Sequence, residues 1–216
     1  MNHRVDLQSP RPTAWHGVLI GGGLVVLGAG MAVVRDGTVG GAERAVFRAV
    51  NDLPSALGPA IWPVLQLGSL LAAPIVALVA LVARRPRLAV AALVVGVVKL
   101  LAERLVKAAV SRQRPWTSIG PDIHRYGHVP LTGESFVSGH AMLAAALAVV
   151  VTPYLSGRWR VLPAALAALV ALGRVYVGAH APLDVLCGAA GGVAVGAVVD
   201  LLVRRRGGSR PEETLA

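Results

Sequence analysis

Long apolar runs alternate with short polar segments along most of the chain. A helix needs about 20 apolar residues to cross the hydrocarbon core of a bilayer, and six runs approach that length. The pattern predicts an all-α, polytopic membrane protein with six transmembrane helices, forming one domain over residues 15–203 between cytoplasmic tails at 1–14 and 204–216. The predicted spans are residues 15–34, 60–83, a run that starts at residue 88, and 138–155, 161–177 and 183–203.

The segments between these runs are polar or mixed. Residues 35–58 interleave charged and apolar positions, which indicates either an amphipathic helix at the membrane interface or an ordinary solvated loop. Residues 111–136 form a polar loop. Pro63 and Pro74 fall inside the second span, where neighbouring helices can satisfy the backbone groups that a proline leaves unpaired.

The third run is apolar at first and charged in its second half. Lys99, Glu103 and Lys107 recur every four residues and therefore share one helix face. Glu103 can pair with either lysine, and this face is expected to point into the protein or into water rather than into lipid. We expect Lys99 and Glu103 to form a structural ion pair one or two turns below any functional site.

Composition supports the membrane assignment. Hydrophobic residues make up 55% of the chain and charged residues only 15%, against about 25% charged residues in soluble domains. Cys187 is the only cysteine, so no intrachain disulfide is possible, and we expect it to be a small packing residue. Asp200, near the end of the last run, is expected at the interface.

The formal net charge of +10 would also suit a nucleic-acid-binding protein. The arginines, however, form short clusters between apolar runs, as in the cytoplasmic loops of membrane proteins, so no nucleic acid partner is expected. The positive-inside rule then places both termini in the cytoplasm. The arginines that set this orientation are Arg4, Arg11, Arg84, Arg85, Arg87, Arg158, Arg160, Arg204, Arg205, Arg206 and Arg210.

The strongest chemical signal lies between the last two spans. Arg174, His180 and Asp184 sit near bilayer depth, where ionisable groups are usually functional. Pro182 favours a helix start, which puts His180 at the mouth of a helix and Asp184 one turn behind it. A carboxylate behind an imidazole fixes its tautomer. The alternative is a helix-capping histidine with an incidental ion pair.

Two further polar clusters fall on the same, extracytoplasmic side. One is Lys107 with Arg114-Pro115, and the other is Ser138-Gly139-His140 at the start of the fourth span. Helix N-termini and cations together bind phosphate. Three cations, two helix starts and two histidines therefore suit phosphoryl transfer, in which one imidazole attacks phosphorus and the other protonates the leaving oxygen.

These clusters resemble the motifs of the type 2 phosphatidic acid phosphatase family, which also includes vanadium haloperoxidases. The family pattern is Lys-x6-Arg-Pro, then Pro-Ser-Gly-His, then Ser-Arg-x5-His-x3-Asp, and the resemblance covers roughly residues 99–203. Two support positions depart from it: Val137 replaces proline and Gly173 replaces serine. Val137 is expected to leave the turn before His140 less fixed, and Gly173 to remove a hydroxyl from the phosphate.

The resemblance implies a role for each matching residue. His180 would be the nucleophile that forms a phosphohistidine, Asp184 would orient it, and His140 would be the general acid. The residues that would bind the phosphate are Lys107, Arg114, Ser138, Gly139 and Arg174. No metal or other cofactor is implied. The expected substrate is a lipid phosphate or diphosphate of the polyprenyl diphosphate or phosphatidate type, reached from the outer leaflet of the plasma membrane.

Three alternatives remain at the level of sequence. A vanadate-dependent haloperoxidase would use the same residues, but those enzymes are soluble. A non-catalytic lipid-binding or lipid-translocating protein would tolerate loss of His180. A purely structural subunit would not need these charges on one side. Finally, His124, His128 and Glu134 in the polar loop either contact a headgroup or, as we favour, are simply solvated.

Overall fold

The computed structural model describes residues 13–205. Most of the expected tails, 1–14 and 204–216, lies outside this range, including Arg4, Arg11, Arg206 and Arg210. The described part is all-α, as predicted, and contains no β-strand. Its helices are α1 (Thr13–Val33), α2 (Gly41–Asn51), α3 (Gly58–Leu65), α4 (Ala72–Val82), α5 (Pro86–Ala109), α6 (Pro115–Ser118), α7 (Gly139–Val151), α8 (Leu162–Tyr176) and α9 (Pro182–Arg205).

Helix length and apolarity identify some of the six predicted spans among the described residues. Three helical segments are long and apolar enough to cross a membrane: Ala14–Val33, Gly157–Tyr176 and Pro182–Arg204. α5 is long enough but carries Lys99, Glu103, Arg104 and Lys107. α7 has 13 residues, about 20 Å of helix at a rise of about 1.5 Å per residue.

The predicted second span, residues 60–83, is not one straight helix. It is split between α3 and α4, whose segments Ser55–Gly68 and Ala72–Val82 meet at an angle of 72°. A 3₁₀ turn over Gln66–Gly68 precedes the bend, and the Ser69 hydroxyl donates to the Gln66 carbonyl. This turn packs so closely on α7 and α8 that a side chain at Gly68 would collide with His140 and Val170.

α9 lies at the centre of the described part and packs mainly against α7 and α1. Gly188, Gly192 and Gly196 recur every four residues along its α7-facing side, and a side chain at any of them would meet backbone atoms of α7 or of its N-cap residue. Small residues at this spacing let two membrane helices approach closely. The α7 N-terminus is thereby held beside the start of α9.

α2 is the amphipathic helix that was one of the two interpretations of residues 35–58. It does not lie free at the interface, because Phe47 and Asn51 are fully buried. The Asn51 amide donates to the carbonyls of His124 and Tyr176, both at 2.8 Å. α2 is therefore fastened to the polar loop and to the end of α8.

Two residues of α9 pack against α1. Cys187 is buried, as expected of a packing residue, and lies against Gly30. Asp200 is also buried, and it accepts hydrogen bonds from His16 at 3.0 Å and Arg204 at 2.7 Å. The His16 contact gives this carboxylate a partner inside the protein.

Candidate active site

A cavity of about 480 Å³ lies between α5, α7, α8 and the 3₁₀ turn that follows α3. The three polar clusters expected from the sequence meet at its wall. The cluster members that line it are Lys107, Arg114, Gly139, His140, Arg174 and His180. Ser138 and Asp184 do not line the cavity and are fully buried behind it.

The turn between α8 and α9 presents His180 to this cavity. The backbone N–H groups of Ala179 and His180 both donate to the Arg174 carbonyl, at 3.0 and 3.3 Å. The Arg114 guanidinium donates to the Ala179 carbonyl at 3.1 Å. Two of the expected phosphate-binding arginines therefore also hold the backbone beside His180. Burial lowers the pKa of His180 to about 4, so this imidazole is neutral at pH 7.

The expected contact between Asp184 and His180 is indirect. His180 Nδ1 lies 3.7 Å from Asp184 Oδ2, which is too long for a hydrogen bond. Ser135 Oγ lies between them, 3.4 Å from His180 Nδ1 and 2.5 Å from Asp184 Oδ2. The same carboxylate oxygen accepts the Ala181 N–H at 2.8 Å.

A buried ion-pair network holds the other side of Asp184. Arg112 donates to Asp184 Oδ1 at 2.8 Å and to both carboxylate oxygens of Glu43. Glu43 in turn accepts the Leu183 N–H at 2.9 Å, in the first turn of α9. The Arg112 side chain is 0% exposed.

Sequence reasoning missed Ser135, Arg112 and Glu43. All three lie in segments whose pattern indicates a polar loop or an interfacial helix. The sequence signal for them is weak, because charged and hydroxyl residues are ordinary in such segments. Only the long-range packing of α2 and the polar loop against α9 buries them.

Lys99 and Lys107 of α5 both pair with the Glu103 carboxylate, which lies between them. Glu103 pairs with Lys99 at 2.6 Å and with Lys107 at 2.7 Å. The expected ion pair between Lys99 and Glu103 is present, and both residues line the cavity. Glu103 also lies against Gly139, where any side chain would collide with its carboxylate.

The start of α7 lies at the cavity, which Gly139 and His140 line. Ser138 is the N-cap residue, and its N–H donates to the Asp184 carbonyl at 2.9 Å. Among the described residues, the buried side-chain atoms without a hydrogen-bond partner include Ser138 Oγ, Arg114 Nε and Arg174 Nε. Arginine side chains beside a helix N-terminus suit an anion.

The two departures from the family pattern have different surroundings. A Cβ at Gly173 would lie 2.7 Å from Leu65 Cδ2 and 3.0 Å from Ile61 Cγ2. A serine there would therefore point at α3, and the absence of its hydroxyl has a packing explanation. Val137 is fully buried, in a hydrophobic cluster with Phe136 and Met142.

The polar loop residues divide into three environments. His128 is exposed and lines the cavity. His124 is half-buried, with its ring centroid 5.6 Å from that of Tyr176. Glu134 accepts the Arg112 N–H at 2.9 Å and so braces the loop rather than standing free in solvent.

Comparison with known proteins identifies the family. A family model described as the PAP2 superfamily matches residues 87–207, more than half of the chain. The chain therefore belongs to the PAP2 superfamily and is a phosphatase of that type. No curated protein matches it.

Two solved structures share its fold. A transmembrane PAP2 type phosphatidylglycerolphosphate phosphatase from Bacillus subtilis is 23% identical, with a TM-score of 0.63 over 89% of this chain and 95% of that chain. LpxE from Aquifex aeolicus is 20% identical, with a TM-score of 0.58 over 74% of this chain and 93% of that chain. At these identities, the likeness concerns the fold alone.

Proposed function

We propose that this protein is a metal-independent membrane lipid phosphatase that works through a phosphohistidine on the extracytoplasmic side. One observation carries the proposal. His140 and His180, the cations Lys107, Arg114 and Arg174, and Gly139 at the start of α7 all line one cavity, and the Nε–H groups of Arg114 and Arg174 have no partner among the described residues. Donors aimed at one position and already fixed in place are what phosphoryl transfer needs.

In the first step, His180 attacks phosphorus. Its Nδ1 faces Ser135 and Asp184, which leaves Nε2 free for the cavity. A bond forms between Nε2 and phosphorus while the bond between phosphorus and the leaving oxygen breaks. Protonated His140 gives its proton to that oxygen, so the lipid leaves as an alcohol, or as a monophosphate when the substrate is a diphosphate.

In the second step, water releases the phosphate. Neutral His140 takes a proton from the attacking water, a new P–O bond forms and the N–P bond breaks. Inorganic phosphate leaves, His180 is neutral again and His140 is protonated again. The same two imidazoles thus serve both halves of the reaction.

Lys107, Arg114 and Arg174 hold the phosphate oxygens in this mechanism. Lys107 is paired with Glu103, so phosphate binding draws the ammonium group away from that carboxylate. The guanidinium forks of Arg114 and Arg174 match phosphate geometry and need no such exchange.

The apolar side of the cavity supports a lipid substrate. Trp62, Leu65, Leu70 and Leu100 line it beside the phosphate-binding groups. An anionic headgroup at the cations would leave its hydrocarbon tail against these side chains. A polyprenyl diphosphate and a phosphatidate-type lipid both meet this description, and the name of the Bacillus subtilis neighbour, a phosphatidylglycerolphosphate phosphatase, favours including that lipid in any test.

The test is phosphate release by the purified protein in detergent. The panel is phosphatidate, phosphatidylglycerolphosphate, a long-chain polyprenyl diphosphate and its monophosphate, each with and without EDTA. We expect release from at least one lipid to survive EDTA and to fall at least about a thousandfold in His180→Ala, because no other group replaces the nucleophile.

His124→Ala is the matched control, since this imidazole does not line the cavity, and it should keep most of the activity. Release retained by His180→Ala would mean that the nucleophile is wrong. A well-folded protein that releases phosphate from none of the lipids would favour a lipid-binding or lipid-translocating protein on the same fold.

A further inference from the structure

Ser135 is the residue through which Asp184 reaches the imidazole of His180. Asp184 Oδ2 accepts two hydrogen bonds, from Ser135 Oγ and from the Ala181 N–H, and neither comes from His180. The distance from His180 Nδ1 to Ser135 Oγ, 3.4 Å, is shorter than its distance of 3.7 Å to the carboxylate. The Ser135 side chain is buried, with no exposed surface.

The hydroxyl proton of Ser135 has one suitable acceptor. At 2.5 Å the contact with Asp184 Oδ2 requires the hydroxyl to donate, because an ionised carboxylate has no proton to give. The hydroxyl oxygen can then only accept from His180, which requires the proton on Nδ1. This chain of contacts therefore selects the tautomer whose Nε2 lone pair is free to attack phosphorus.

The chain of contacts ends at the Asp184 carboxylate, and Arg112 holds that carboxylate in place. Its guanidinium reaches Asp184 Oδ1 at 2.8 Å, so both oxygens of Asp184 are committed. The guanidinium is also held by Glu43 and by the Thr38 carbonyl, the latter at 3.0 Å. α2 therefore anchors Arg112, and Arg112 anchors Asp184.

We propose that Ser135 and Arg112 are positioning residues for the nucleophile: Ser135 carries the hydrogen bond from His180 to Asp184, and Arg112 holds Asp184 in line with it. This inference rests on the proposed function, since it assigns a task to residues that never touch the substrate. Neither residue lines the cavity. Their loss should therefore slow the chemical step without weakening substrate binding.

The first test is Ser135→Ala, measured on the best lipid of the panel. We expect kcat to fall about 10–100-fold, the range for partners that orient a functional side chain from behind. KM and the inhibition constant of inorganic phosphate should stay within about twofold, because the cations are untouched. A residue that only supported the fold would lower the folded fraction and the melting temperature instead.

Thr152→Ala is the matched control. It also removes a hydroxyl with a single acceptor, the Ala148 carbonyl at 2.7 Å, but at the opposite end of α7. It should leave kcat unchanged. Ser135→Cys, whose thiol keeps a weak donor and acceptor in nearly the same place, should retain more activity than Ser135→Ala.

The second test is a double-mutant cycle with Asp184→Asn. If Ser135 acts through Asp184, adding Ser135→Ala to Asp184→Asn should change kcat less than about twofold. Arg112→Lys, which keeps the charge but loses the fork, should also lower kcat at constant KM. Multiplicative effects in the cycle, or full activity in Ser135→Ala, would overturn the proposal. Wild-type protein with no His180-dependent release would instead overturn the proposed function itself, so the two failures are distinguishable.

Discussion

Some residues around the site can be predicted from a local sequence pattern, and others are brought to it only by long-range packing. The matched motif positions can be recognised in the sequence because each motif lies within one short segment of the chain. Ser135, Arg112 and Glu43 are not visible, because their partners lie 49, 72 and 140 residues away. No local pattern encodes a contact of that kind.

Gly173 gives the sharpest prediction for one residue. Gly173→Ser restores the family residue, yet we expect it to lower activity and to destabilise the protein by about 1–3 kcal/mol, the usual cost of overpacking. The new side chain would meet Leu65 and Ile61, whose Cδ2 and Cγ2 atoms would lie 2.7 and 3.0 Å from the added Cβ. Melting temperature in detergent and phosphate release measure the two effects.

Gly28→Ser is the control for this substitution. Gly28 also lies in an apolar helix, but nothing lies within 4 Å of the position that a Cβ would occupy there. It should leave both measurements unchanged. A gain of activity in Gly173→Ser at unchanged stability would mean that the serine reaches the phosphate and that the packing explanation is wrong.

Among the elements, α7 and α9 determine where the site forms. Both helix starts were predicted from Ser138-Gly139 and from Pro182, because capping and proline signals are local. The bend between α3 and α4 was not predicted. Prolines are tolerated inside membrane helices, so an apolar run containing Pro63 and Pro74 does not distinguish a straight span from a bent one.

The close contact between α7 and α9 predicts that one added methyl group on α9 destabilises the protein. Gly192→Ala places a methyl group against the Met142 carbonyl, which is backbone and cannot rotate away. We expect destabilisation of about 1–3 kcal/mol, with a parallel loss of phosphate release, because α7 begins at Ser138 and carries His140. Thermal unfolding and activity should be followed together.

Gly22→Ala is the matched control on α1, since a Cβ at that position would have nothing within 4 Å. It should be neutral or slightly stabilising, because alanine favours a helix over glycine. Equal effects of the two substitutions would show that the row of glycines on α9 is not a close contact.

For the whole molecule, hydropathy correctly predicted the all-α membrane class, while the number of six spans stays a prediction. Composition does not show that α7 is short, whereas the spacing of Lys99, Glu103 and Lys107 did predict that this face of α5 turns away from lipid. The orientation inferred from the arginine clusters puts the site outside. This remains a prediction that labelling can test.

Accessible cysteines report that orientation directly. In a Cys187→Ser background, Thr132→Cys in the polar loop should react with a membrane-impermeant maleimide on intact cells. Ser156→Cys, in the basic turn before α8, should react only after permeabilisation. Both positions are exposed, so access to them depends on the side of the membrane alone. The reverse pattern would place the site in the cytoplasm.

The central claim is that His180 carries the phosphoryl group, and trapping that intermediate tests it most directly. Protein incubated briefly with a ³²P-labelled lipid phosphate would be quenched in alkali, where phosphohistidine survives, and the labelled peptide identified. We expect label on the peptide that contains His180 and no label in His180→Ala. His140→Ala should carry more label if it slows the attack of water more than it slows formation of the phosphohistidine. Label on another residue, or rapid turnover with no label in either form, would contradict the account.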